Sequence, residues 1–272
     1  MRRVLFVLAA LAVGCSSGEQ STEMKNNIVT REVEYSADNV AMKGFLAYDS
    51  NIEGQRPGVL VVHEWWGHNA YARERAKKLA ELGYTALAVD MYGDGKQAEH
   101  PDDAMKFVME VVSNAEVAVA RFNAALDFLK NQPTTNPEKI AAIGYCFGGS
   151  VVLSMANSGV DLDAVASFHG GLQGIAPAQP GVNKAKVLVC NGAADQMVTQ
   201  EQIDAFKKNL DEADVDYEFI NYEGAMHSFT NPMADSFAVK FNMPLAYNAE
   251  ADRQSWEKMK ELFNSVFKSS GN

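Results

Sequence analysis

Short apolar runs separated by segments of helical period fill the chain from residue 28 onward, and their order predicts the fold. Residues 29–35 and 42–48 alternate apolar and polar positions as a β-hairpin does, with Ala37-Asp38-Asn39 at its turn. Beyond them strands and helices take turns. The runs 58–63, 85–90, 139–144, 164–168, 186–190 and 217–222 are short and nearly continuously apolar, as strands covered on both faces are. Between them, Asn69 caps a helix that runs to Leu82 and stops at Gly83, and 101–112 form the next. Ser113 and Glu116 have the spacing of a capping box for a helix with apolar residues at 117, 120, 124 and 128. Thr199 and Gln202 open another, which turns Ile203, Phe206 and Leu210 inward, and 249–268 form a closing helix. Residues 232–248 carry no period and read as an irregular rim or lid loop. This alternation predicts an α/β fold with a mostly parallel central sheet and helices on both faces. Ligands then bind at the carboxyl ends of the strands.

One of those ends carries chemistry. Gly144-Tyr145-Cys146-Phe147-Gly148-Gly149 joins the 139–144 strand to a helix over 150–157, and the glycines let strand and helix approach while residue 146 projects outward. This is a nucleophile elbow with cysteine in place of serine. A cysteine nucleophile needs a base, and the base needs a group to hold it. Asp195 follows the 186–190 strand and His227 follows the 217–222 strand. Nucleophile, acid, histidine is the chain order of an α/β-hydrolase triad, each member on a loop past a strand end. The oxyanion hole of such a site uses the amide after the nucleophile, here Phe147, and one from the loop His63-Glu64-Trp65-Trp66-Gly67, where Trp65 is the expected donor. His63 and His68 are not at zinc-helix spacing, no phosphate-binding loop is present, and neither metal nor cofactor is expected.

Composition narrows the setting. The chain has 272 residues, 47% hydrophobic and 22% charged, with a net charge of −11. That acidity opposes nucleic acid and anionic membrane surfaces as partners. Arg2 and Arg3 followed by an apolar run to Val13 have the plan of a signal peptide over 1–14. Leu11-Ala12-Val13-Gly14-Cys15 resembles the lipobox of bacterial lipoproteins, which implies lipidation at Cys15. Residues 15–27 then form a flexible tether and 28–270 a single domain, anchored to a membrane by lipid alone or, after ordinary cleavage, free in the periplasm or secreted. Of the two remaining cysteines, Cys146 and Cys190 lie on strand ends with another strand between them. Two strand spacings, roughly 9–10 Å, exceed the reach of a disulfide, so both are expected free.

With the triad order in place, three segments resemble the dienelactone hydrolase family from about residue 30 to 265. They are His63-Glu64-Trp65-Trp66-Gly67, the cysteine elbow, and Gly224-Ala225-Met226-His227-Ser228-Phe229. The resemblance implies that Glu64 contacts the resting thiol and helps govern its ionisation. Two positions depart from the family. Where its characterised members hold a substrate carboxylate with arginines, this chain has Asp94 and Asn231, which puts an anionic dienelactone-type substrate in doubt.

The reading that follows is a hydrolase of activated carboxylic esters, lactones or thioesters, working through Cys146, His227 and Asp195 and an acyl-cysteine intermediate. Trp65, Trp66, Tyr92, Tyr145 and His169 are expected to wall an apolar or aromatic acyl site. Two alternatives stay open at this level, a catalytically silent envelope-associated binding lipoprotein and a cysteine acyltransferase.

Overall fold

The computed structural model describes residues 26–268. The expected signal peptide, Cys15 and nearly all of the expected tether lie outside the described residues. Asn26 and Asn27 are within them, and both hydrogen-bond to the domain, through the Glu81 carbonyl and the Asp49 carboxylate.

In chain order the elements are β1 (Ile28–Ala37), β2 (Val40–Asp49), β3 (Arg56–Val62), α1 (Ala70–Glu81), β4 (Thr85–Val89), α2 (Pro101–Val112), α3 (Ala115–Lys130) and β5 (Thr135–Tyr145). Then follow α4 (Phe147–Asn157), β6 (Ala164–Phe168), β7 (Lys186–Gly192), α5 (Gln200–Glu212), β8 (Tyr217–Tyr222), α6 (Ala234–Phe241) and α7 (Ala249–Phe267). They build one eight-stranded sheet in the order β1-β2-β4-β3-β5-β6-β7-β8. β1 pairs with β2 and β2 with β4 antiparallel; every other pairing is parallel. The mostly parallel sheet expected from the alternation is the one observed.

Strand alternation sorts the core into two layers. Leu60 and Val62 of β3, Ile140 and Ala142 of β5, and Val187 and Val189 of β7 face a layer with Phe122 of α3, Val152 of α4 and Phe206 of α5. Val59, Val61, Ala141, Ile143, Tyr145, Leu188 and Cys190 face the opposite layer, with Leu79 of α1 and Phe263 of α7. Cys146 packs against the first layer and Cys190 belongs to the second. Both thiols are free.

Two local expectations need correction. Ser113 does not open α3: its hydroxyl bonds the Met109 carbonyl at the end of α2, and Asn114 caps α3 by accepting from the Glu116 amide. Residues 232–248 are not wholly irregular, because they contain α6. Only Ala234 of that helix is buried and no side chain caps it, so it leaves little trace in the sequence pattern. The capping box of Thr199 and Gln202 is present as read.

Candidate active site

The turn between β5 and α4 forces Cys146 to φ 53° and ψ −116°, a conformation that L side chains rarely adopt. The glycines around it are needed for space. A Cβ on Gly144 would lie 2.0 Å from the Gly148 carbonyl oxygen, and one on Gly148 would lie 2.3 Å from that of Val62. The turn is fixed by the Cys146 amide, which donates to the Phe168 carbonyl, and by the Gly148 amide, which donates to that of His63.

Half-buried Cys146 faces His227, with Sγ 3.1 Å from Nε2, while Nδ1 of the same ring lies 2.8 Å from Oδ2 of Asp195. Asp195 is held in turn by the Met197 amide, which donates to Oδ1. Burial works against a charged imidazole. The charge on Cys146 and the hydrogen bonds to Asp195 and Cys146 outweigh it, and the His227 pKa is raised well above the ordinary imidazole value. The Phe147 and Trp65 amides, expected to form an oxyanion hole, donate to no protein acceptor among the described residues. Both residues border the same cavity as Cys146 and His227.

Glu64 is 2% exposed and lies elsewhere in the site than the resemblance implies. Its carboxylate accepts from Ser228 Oγ at 2.9 Å and from Asn231 Nδ2 at 2.6 Å, whereas the polar partner of the thiol is His227. Burial pushes the Glu64 carboxyl up, against the pull of those two donors and of the His227 charge. Glu64 therefore braces the loop that carries the histidine. Asn231 is consumed by that contact, and Asp94 is exposed on a turn at φ 56°; neither borders the cavity.

The expected aromatic walls are mostly absent from the cavity, which has a volume of about 900 Å³. Trp65 borders it; Trp66, Tyr92, Tyr145 and His169 do not. Trp66 packs on Phe237 and Phe241 of α6, and Tyr92 donates to the Trp65 carbonyl from beneath the loop. Tyr145 precedes Cys146 by one residue, so strand alternation sends it to the opposite layer, against Phe168. His169 hydrogen-bonds Thr230 Oγ1 through Nε2, and burial drives its pKa well down, which keeps it neutral. Methionine and valine from α2 and α3 take the places assigned to aromatics, including Met105, Val108, Met109 and Val119.

A buried polar brace that the motifs do not announce lies behind the histidine loop. Arg75 of α1 donates to the Thr230 carbonyl and to Asp252 of α7, each at 2.6 Å, and Tyr71 Oη lies 2.6 Å from Thr230 Oγ1. One signal was available: Arg75 falls on the buried stripe Ala72, Ala76, Leu79 of its helix, where an arginine needs a partner. No group of three or more His, Cys, Asp or Glu among the described residues is placed to hold a metal ion.

The chain is similar to known proteins over most of its length. A protein called usf from Aquifex pyrophilus is 32% identical over 204 residues, covering 73% of this chain and 86% of that one. A protein of Aquifex aeolicus named as a carboxymethylenebutenolidase is 27% identical, covering 87% and 98%. The crystal structure of a dienelactone hydrolase-like promiscuous phosphotriesterase from metagenomic libraries superposes with a TM-score of 0.81 at 36% identity, covering 88% and 99%. The model of the dienelactone hydrolase family matches residues 42–267, most of the described domain, and the chain belongs to that family.

Proposed function

We propose that this hydrolase cleaves activated carboxylic esters, lactones or thioesters through Cys146, His227 and Asp195 by way of an acyl-cysteine. Family membership makes the chain an ester or lactone hydrolase. The observation that carries the finer reading is the unbroken hydrogen-bond chain from Asp195 through His227 to a sulfur on the cavity wall. That chain favours turnover over a silent binding protein.

In the first half-reaction His227 Nε2 holds the thiol proton and the sulfur attacks the carbonyl carbon. A C–S bond forms, and the carbonyl electron pair moves onto oxygen, where the Phe147 and Trp65 amides receive it. His227 then gives its proton to the leaving oxygen or sulfur as that bond breaks. Acylation removes the sulfur's negative charge, one of the effects that hold His227 protonated, and burial continues to disfavour the imidazolium. The neutral ring takes a proton from water, the hydroxide oxygen attacks the thioester, and the thiolate departs. Asp195 keeps Nδ1 protonated throughout and steadies the charged ring.

A thiolate leaves more readily than an alkoxide, so adducts of plain alkyl esters revert. The expected outcome is a higher kcat/KM for an aryl or enol ester than for the matched ethyl ester. Equal or faster turnover of the ethyl ester contradicts the mechanism.

The same proposal assigns residues 1–14 to export and Cys15 to lipidation, on the strength of Arg2, Arg3 and the apolar run that follows. Incorporation of labelled palmitate in a bacterial host that is lost in Cys15→Ser supports it; equal labelling of both forms contradicts it.

A further inference from the structure

The mechanism uses one end of the cavity and leaves its length unexplained. α4 contributes Phe147, Ser150, Val151, Ser154 and Met155 to the wall, and Ser158, which caps its C-terminus, continues the row. Their spacing is i, i+3, i+4, i+7, i+8, i+11, one face of the helix from end to end. A helix of 11 residues rises about 16 Å, so the cavity is a trough that starts at the thiol and follows α4 to its far end. Ser150 donates to the Gly171 carbonyl and Ser154 accepts from the Ala176 amide, so both hydroxyls are engaged by backbone.

The facing wall comes from Met105, Val108, Met109 and Val112 of α2 and Val119 of α3. Among the described residues no lysine, arginine, aspartate or glutamate borders the cavity, and the charged group that does, His227, lies at the thiol end. A charged ligand arm would lose its water there without gaining a partner. Met105, Met109 and Val112 are 51%, 50% and 52% exposed, which gives the trough an apolar lip open to solvent. Methionine adapts its shape to flexible chains, and a binding surface built from it suits a ligand with many conformers.

Resting on the proposed acyl-cysteine mechanism, we infer that the preferred substrate carries an uncharged, extended apolar acyl chain of roughly eight to twelve carbons, lying along α4. The long arm belongs to the acyl side, because a long alkyl alcohol is the poor leaving group that a thiol nucleophile handles badly. Aryl esters and thioesters of medium-chain fatty acids have both required features.

The test is a series of p-nitrophenyl esters from acetate to dodecanoate, read as kcat/KM and as the pre-steady-state burst of nitrophenol. The rate constant should rise about threefold per added methylene through the middle of the series. A matched ester with a carboxylate at the distal end of the chain should react at least a hundredfold more slowly. In Ser154→Trp, which fills the trough midway, the ratio of decanoate to acetate should fall at least tenfold. That ratio is taken within one preparation, so partial misfolding cancels. A burst with every ester but no dependence on chain length, or faster turnover of the carboxylate-bearing ester, overturns the trough while leaving the hydrolase reading intact. Undiminished turnover of every ester in Cys146→Ala overturns the acyl-cysteine reading and this inference with it.

Discussion

Cys146 and His227 form a pair in which each side depends on the other's charge. Because the thiol's charge and Asp195 raise the His227 pKa against the effect of burial, the imidazolium persists at pH values where a free histidine is neutral. If the paired form is the one that acylates, kcat/KM for an activated ester shows no decline as pH passes upward through 6.5, and its alkaline limb lies well above that value. A limb centred near 6.5 contradicts the pairing. Glu64 contributes from behind, since its carboxylate and the His227 charge stabilise one another. Glu64→Gln removes that support while leaving Ser228 and Asn231 partners to bond, and should move the alkaline limb to lower pH. An unmoved limb would reduce Glu64 to a brace. At this scale the sequence marks Cys146, His227 and Asp195, because each follows a strand end, and the fold brings the three within hydrogen-bond reach. It does not mark the partners of Glu64, since Ser228 reads as an ordinary loop residue and Asn231 only as a position where the resembled family has arginine, until the chain folds back upon itself.

The elements explain which sequence expectations failed. Strand positions follow from apolar runs, although β5 begins at Thr135, four residues before its run, and the cap of α5 follows from Thr199 and Gln202. Ser113 and Asn114 are adjacent residues that both cap helices, and only the folded chain assigns one to the end of α2 and the other to the start of α3. Alternation along β5 separates Tyr145 from its neighbour Cys146, so the strand pattern itself keeps Tyr145 off the cavity wall. Arg75 bears most on the arrangement of elements, because it ties α1 to α7 and to the loop after β8 through one buried guanidinium. Arg75→Leu leaves Asp252 and the Thr230 carbonyl without their donor. It should cost about 3 kcal/mol in stability, read from denaturant midpoints, and lower kcat through a displaced His227. A loss below about 0.5 kcal/mol, the range of ordinary surface substitutions, would show that the loop holds without it.

For the whole molecule, buried histidines set the response to acid. His63, His68 and His169 are buried, and burial lowers the pKa of each, that of His68 to about 3. The unfolded chain begins to bind protons at these positions near pH 6.5, before the folded chain does, so stability falls as pH drops below 6.5, and the contribution of His68 continues toward pH 3. The slope reaches about 1.4 kcal/mol per pH unit for each histidine. His227 does not offset this, because a raised pKa leaves it charged in both states throughout that range. Among the described residues, neither ring nitrogen of His68 has a hydrogen-bond partner. His68→Leu should therefore keep or raise stability at pH 7 and flatten the acid slope by one proton, measured by urea unfolding at pH 7 and pH 5. An unchanged slope would mean that His68 is protonated in the folded state.

The acyl-cysteine is the point on which the account turns, and intact-protein and peptide mass spectrometry after rapid mixing with an activated ester examines it directly. The prediction is a mass increase of one acyl group on the peptide containing Cys146, transient in the native chain, accumulating in His227→Ala and absent in Cys146→Ala. Acylation on any other residue, or full turnover in Cys146→Ala, contradicts it.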